Sequence, residues 1–160
     1  FAWGRFISEK RRPYSSWSGI RLMSHTASCG CGQLKARCDG APDSIVQCHC
    51  ADCKKRSGSA FGLGAYYQGE AVTITGVSQR YIRKAASGAD FIQFFCPNCA
   101  TTLYWTTERH PSGVGIAAGA FDDLPDTEPV RSVFDNNRCA WLEPLKIPTF
   151  RKGRDSEQIR

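Results

Sequence analysis

Apolar and polar residues alternate along most of the chain. Leu34, Ala36 and Cys38 are interleaved with Gln33, Lys35 and Arg37, the two-residue period of a half-buried strand. Residues 44–48, 61–67, 71–75, 79–85, 90–95, 102–105, 114–118 and 130–134 read as further strands. Turn formers such as Asp39, Gly40 and Pro42, Gly76, and Ser87 with Gly88 stand between them. Strands recurring every ~8–12 residues predict an all-β chain. Only residues 51–56 have room for a single helical turn, stopped by Gly58. There is no helix-length amphipathic stripe and no repeat of fixed period. Phe61, Gly62, Gly64, Tyr66 and Tyr67 share one short strand, where glycine signals close approach of another group to the backbone.

The 160-residue chain is 41% hydrophobic and 22% charged, which suits one globular domain. No apolar run reaches the length of a membrane span, and no secretory signal pattern appears. Residues 1–22 show neither strand nor helix periodicity, and the single methionine is Met23. They read as an N-terminal extension outside the fold. It is either a segment added ahead of a start at Met23 or a basic, serine-containing organelle-targeting peptide. Residues 23–150 form the zinc-binding β domain, and 151–160 a frayed polar tail. Of the formal charge of +6, +4 lies in residues 1–22. Seven thiolates and two Zn²⁺ would bring the remainder to about −1. The high isoelectric point is therefore poor support for a nucleic-acid partner, and no membrane partner is expected.

The chemistry lies in the cysteines. Seven of the nine fall in three clusters: Cys29 and Cys31; Cys48, Cys50 and Cys53; Cys96 and Cys99. Disulfides fit poorly, because the number is odd, no export signal is present, and a C-x-C bridge is strained. Metal ligation in a reducing, cytoplasmic compartment fits better. Four thiolates make a closed zinc site and three leave one position open. Residues 90–105 read as strand, C-x2-C, strand, a metal knuckle at a hairpin tip. Two groupings are possible. Cys50 and Cys53 can join Cys96 and Cys99 as a zinc ribbon, leaving Cys48, Cys29 and Cys31 over. Alternatively, Cys29 and Cys31 join Cys96 and Cys99, leaving Cys48, Cys50 and Cys53 as a second set and no orphan in any cluster. Cys38 and Cys139 are solitary and read as packing residues. In an extended C-x-C the middle residue faces away from the sulfurs, so His49 reads as an exposed or hydrogen-bonded histidine. His110, beside Pro111, reads as a surface residue. Asp122, Asp123 and Asp126 belong to an acidic, solvated loop.

Four segments together resemble the glutathione-dependent formaldehyde-activating enzyme family, whose domain centromere protein V-like proteins share. They are Ser28-Cys29-Gly30-Cys31-Gly32, the run from Cys48 to Ser59, Phe95-Cys96-Pro97-Asn98-Cys99-Ala100-Thr101-Thr102-Leu103, and Ala118-Gly119-Ala120-Phe121-Asp122-Asp123. The resemblance implies two packed antiparallel β-sheets. It implies a structural zinc on Cys29, Cys31, Cys96 and Cys99, and a second, catalytic zinc on Cys48, Cys50 and Cys53. Ala100 stands where a glycine is usual, and Phe121 where leucine is common. The implied activity is a lyase (carbon–sulfur) reaction joining glutathione, or a related thiol, to formaldehyde.

A zinc held by three thiolates is net anionic and better suited to ionising a fourth thiol than to making hydroxide. Lys54, Lys55 and Arg56 follow the central cluster. Lys54 and Arg56 are the candidate substrate-binding residues, able to meet the carboxylates of an anionic thiol; a solvated basic turn is the plainer alternative. No side chain stands out as a general base. The rival function is a non-catalytic two-zinc module for a protein or nucleic-acid partner, which requires the central site to be closed. For the N-terminal extension, a chain beginning at Met23 is expected to keep its melting temperature. A fall of many degrees in thermal denaturation would put residues 1–22 in the core.

Overall fold

The structure is a computed structural model that describes residues 23–123, 125 and 128–160. The expected N-terminal extension and Asp126 of the acidic loop lie outside the described residues.

The alternating pattern folds into two sheets. β1 (Ser24–Ser28), β2 (Lys35–Asp39) and β5 (Val72–Thr75) form a three-stranded sheet. Seven strands form the larger sheet: β10 (Arg131–Val133), β3 (Ser44–Cys48), β4 (Gly62–Gln68), β9 (His110–Ala117), β8 (Thr102–Thr107), β7 (Asp90–Phe95) and β6 (Gln79–Lys84), in that spatial order. Neighbouring strands are antiparallel except β10, which runs parallel to β3 at the sheet edge. β1 was not legible as a strand, because Ser24, His25 and Thr26 weaken its apolar alternation. The one helix, α1 (Ala51–Ser57), ends at Gly58, whose φ of 63° makes the left-handed cap expected there.

One face of the large sheet carries the core. Ile45, Ala65, Tyr67, Leu103 and Ile116 meet Ala27, Ala36 and Cys38 of the small sheet. Cys38 is fully buried, and burial pushes its thiol up to about 12. That fits the expected packing role. Cys139 is only half-buried and stands outside this core. Because side chains alternate across a strand, Val46 and Cys48 project from the opposite face of the large sheet. No helix among the described residues is long and apolar enough to cross a membrane.

Residues 151–160 do not fray. Phe150 bridges Gln158, the Arg151 N–H donates to the Glu157 carbonyl, and the Thr149 N–H donates to the Arg160 carbonyl. Thr149 also bridges Ser132 of β10, and Arg160 pairs with Asp135 at 2.8 Å. The segment is polar in side chains but held by its backbone, which composition does not report.

Two turns carry opposite backbone demands. Gly76 has φ +92°, and a Cβ there would lie 1.9 Å from the Gln33 carbonyl oxygen. Ala100, in the turn after Cys99, has φ +59°, a left-handed backbone that glycine adopts without steric cost. A left-handed L-residue costs about 1–2 kcal/mol, against ~0.5–1 kcal/mol of entropy that glycine loses on folding. Ala100→Gly is therefore expected to stabilise by about 0.5–1 kcal/mol, and Gly76→Ala to destabilise by at least ~2 kcal/mol. Thermal denaturation checks both; a melting temperature unchanged by Gly76→Ala would show that the β5–β6 turn is not held against Gln33.

Candidate functional site

Cys29 and Cys31 lie in the turn between β1 and β2, and Cys96 and Cys99 in the turn between β7 and β8. Pairing within each sheet brings these turns together, and all four sulfurs lie within 4.8 Å of one another. The Cys29–Cys31 and Cys31–Cys96 sulfur separations are both 3.6 Å. A disulfide needs about 2.05 Å, and all nine cysteines are free. Tetrahedral ligation at Zn–S ≈ 2.3 Å puts sulfurs roughly 3.8 Å apart, so the donor set fits a closed zinc site.

The surroundings favour negative charge at Cys96 and Cys99, whereas Cys31, despite the Gln33 N–H, is pushed up to about 11 by burial and by its hydrogen bonds with the neighbouring thiols. The Gln33 amide donates to Cys96 Sγ at 3.0 Å and the Leu34 N–H to Cys29 Sγ at 3.3 Å. Hydrogen bonds from the Thr101 hydroxyl and then its backbone N–H hold the Cys99 thiol down to about 5. Gln33 also clamps Val77, donating to its carbonyl at 2.7 Å and accepting from its N–H at 3.0 Å. The β5–β6 turn is thereby tied to the cluster. These supporting groups were not legible beforehand, since only folding brings Gln33 beside Cys96.

The second cluster comes from one segment. β3 ends at Cys48, Cys50 caps α1, and Cys53 lies in the first turn of α1. The Cys53 N–H donates to Cys50 Sγ at 3.4 Å. The three sulfurs are within 4.8 Å of one another, and no fourth His, Cys, Asp or Glu among the described residues joins them. Hydrogen bonds from the Cys48 and Cys53 thiols, joined by the Cys53 and Asp52 N–H groups, hold Cys50 well below the usual thiol range. Donating to Cys50 and Cys53 drives Cys48 upward.

His49 faces away from this cluster, as the strand geometry requires, but it is neither exposed nor hydrogen-bonded through its ring. It is fully buried, packs edge-on to Phe61 at 5.9 Å, and both ring nitrogens lack partners. Burial lowers its pKa and keeps it neutral.

Cys48, Cys50 and Cys53 line a cavity of about 560 Å³, within the size range of small-molecule sites. Its floor is the open face of the large sheet, including Val46, Gly62, Gly64, Tyr66, Phe91 and Trp105. Trp105 lies across glycine backbone: a Cβ at Gly115 would be 2.2 Å, and one at Gly64 2.7 Å, from the indole. The Arg56 guanidinium stacks on Trp105, 4.0 Å from the ring centroid. The glycines singled out in β4 thus make room for the indole and for α1.

Of the two candidate substrate-binding residues, the structure brings only Arg56 to the cavity. Lys54 is turned away: its ammonium donates to the Asn137 carbonyl and lies 3.7 Å from Cys139 Sγ. The difference follows from the helix, on which residues two apart do not share a face. His110 is not a surface-loop residue. It opens β9 and lines the far end of the cavity. Arg83, Arg131 and Lys152 also line the cavity and carried no signal in the sequence, because each comes from a segment remote from the cysteines.

A family model described as glutathione-dependent formaldehyde-activating enzyme matches residues 24–137. A solved protein from Rhodobacter sphaeroides is 15% identical, with 65% of this chain and 91% of that chain covered and a TM-score of 0.44. No curated protein matches the chain.

The two clusters differ in what they join. A closed zinc site can contribute about 10–16 kcal/mol to folding, against roughly 5–15 kcal/mol for a whole domain. Cys99→Ser is expected to unfold or aggregate the protein. Cys53→Ser opens no long loop and is expected to stay folded with about one zinc per chain, against an expected two for the unaltered chain. Circular dichroism and metal analysis read both; a folded Cys99→Ser beside an unfolded Cys53→Ser would reverse the assignment.

Proposed function

Because the chain belongs to the glutathione-dependent formaldehyde-activating enzyme family, we propose that it joins glutathione, or a closely related thiol, to formaldehyde at the Cys48, Cys50 and Cys53 cluster. The observation that carries this reading is the three-thiol cluster with no fourth protein ligand among the described residues, lining a cavity of ligand size. A purely structural or partner-binding module would need neither the missing ligand nor the cavity.

Zn²⁺ on Cys48, Cys50 and Cys53 would supply the positive charge that favours ionisation of a substrate thiol near neutral pH, where a free thiol of pKa about 8.5 is mostly protonated. The chain's own groups orient and enclose the reactants. Arg56, fixed against Trp105, presents a permanent positive charge beside Cys53. It counters the charge of an incoming thiolate. Val46, Tyr66 and Trp105 give the floor an apolar character, and replacing water there strengthens the electrostatics. The thiolate adds to the carbonyl carbon, forming the carbon–sulfur bond. The carbonyl π pair moves to oxygen, which takes up one proton, matching the one released by the thiol. The product is the hydroxymethyl thioether, so the reaction is a carbon–sulfur lyase in its reverse direction. Holding the two reactants together converts a bimolecular step into an effectively unimolecular one.

The four-thiolate site, in this reading, is structural and takes no part in the chemistry. Its sulfurs are gathered from two turns that tie the sheets together, and no part of it lines the cavity.

Zinc-loaded protein is expected to accelerate exchange between ¹³C-formaldehyde and S-(hydroxymethyl)glutathione above the spontaneous rate, as read by NMR exchange spectroscopy. Cys53→Ser should return it to the spontaneous rate while circular dichroism stays unchanged. An unaltered protein that adds nothing to the spontaneous rate would overturn the enzyme reading.

A further inference from the structure

The C-terminal segment lies outside the family-matched residues 24–137, yet Lys152, Arg154, Asp155 and Ser156 line the cavity. Its placement is firmly determined. The Phe134 N–H donates to the Lys152 carbonyl at 2.8 Å, the Asp135 N–H to the Phe150 carbonyl at 3.1 Å, and the Phe150 N–H to the Ser132 carbonyl at 2.9 Å. Phe134 takes a left-handed φ of +59° at this junction. Such strain persists where surrounding contacts over-determine it, and it clusters at functional sites. At the far side, Asp155 pairs with Arg109 in the turn between β8 and β9. The segment therefore reaches from β10 to the β8–β9 turn, beside the open face of β3, β4 and β9 that separates them.

The cavity is electrostatically unbalanced. Of its three carboxylates, Asp52 is paired with Arg83 at 3.0 Å, Asp155 with Arg109, and Asp43 accepts from the Gln68 amide at 2.7 Å. Arg131 and Lys152 have no carboxylate partner among the described residues, and both reach the cavity. Their position relative to the central cluster is set by register. Val133 of β10 is opposite Cys48, and Arg131 is opposite Val46. Two residues along a strand keep the same face and advance about 7 Å. Arg131 therefore stands on the same face of the sheet as Cys48, on the neighbouring strand and two residues back from it.

Resting on the function proposed above, we propose that Arg131 and Lys152 recognise the carboxylate of the thiol substrate, so that the cavity selects peptide-like anionic thiols over neutral ones. Arg131 supplies the planar fork that matches a carboxylate. Lys152 closes the site from the C-terminal turn, and the Arg109–Asp155 pair positions that turn.

The test uses zinc-loaded full-length protein and S-methylglutathione, a thioether that keeps both carboxylates but cannot ionise at sulfur. Calorimetric titration should show Arg131→Met and Lys152→Met each weakening its binding about tenfold, the usual worth of a charge-assisted hydrogen bond. Arg131→Lys, which keeps the charge but loses the fork, should bind more tightly than Arg131→Met and more weakly than the unaltered protein. The preference in kcat/KM for glutathione over glutathione diethyl ester should fall by a similar factor, with zinc content and circular dichroism unchanged. If the unaltered protein binds no S-methylglutathione, or binds it as well after both methionine substitutions, the inference is overturned even where formaldehyde chemistry is observed. If binding depends on both residues while no turnover is seen, the recognition site stands and the enzymatic reading falls.

Discussion

Four sulfurs from two distant turns hold the two sheets in one arrangement. Cys29 and Cys31 belong to the small sheet, Cys96 and Cys99 to the large one. The small sheet has only three strands, and its strand β5 carries no fully buried residue. Cross-linking Cys31 to Cys96 through a common metal would close a loop of more than sixty residues, which removes much conformational freedom from the unfolded chain. Gln33 couples the same cluster to the β5–β6 turn. The register of the small sheet and the fit between the sheets therefore share one anchor.

Once the small sheet is fixed, it covers only one face of the larger one. The covered face is apolar and closely packed, with Tyr67, Leu103 and Ile116 almost wholly buried. The opposite face is walled by α1 and the C-terminal segment, and between them lies the cavity. Alternation along β3 decides which residues serve which purpose: Ile45 and Gln47 go inward, Val46 and Cys48 outward. A one-residue register slip would exchange these roles. Glycine contributes by absence. At Gly64 and Gly115 the missing Cβ leaves space for the Trp105 indole, and at Gly62 for Cys53 and Arg56. Stability and site construction thus draw on the same sheet through its two faces.

The electrostatics of the two clusters differ in a way that suits different duties. The four-thiol group is surrounded by fixed donors from Gln33, Leu34 and Thr101, which favour negative charge on the sulfurs they reach. The three-thiol group shares protons among its own members and faces cationic side chains across open space. The first cluster offers four sulfurs; the second offers three among the described residues and opens onto a cavity lined by cationic side chains.

Local information was enough for the all-β class, nearly every strand, the short helix with its Gly58 cap, and the two cysteine groupings under the family resemblance. The elements follow from neighbours in the chain, by a period of two or a glycine; spacing marked the three cysteine clusters but left two groupings open, and the resemblance alone implied the one that joins Cys29 and Cys31 to Cys96 and Cys99. Ala100 was legible as a departure; its left-handed backbone was not. The rest depended on segments meeting. Residues 151–160 read as a loose tail because their side chains are polar, whereas their backbone groups pair with β10 and with one another. Lys54 and Arg56 look equivalent in the chain, and the helix sends them to opposite sides. Gln33, Thr101, Trp105, Arg131 and Lys152 acquire their surroundings only when the sheets and the C-terminal turn close around the sulfurs. Periodicity and spacing act over a few residues, so they determined the elements and the donors; contact across the fold decided what surrounds them.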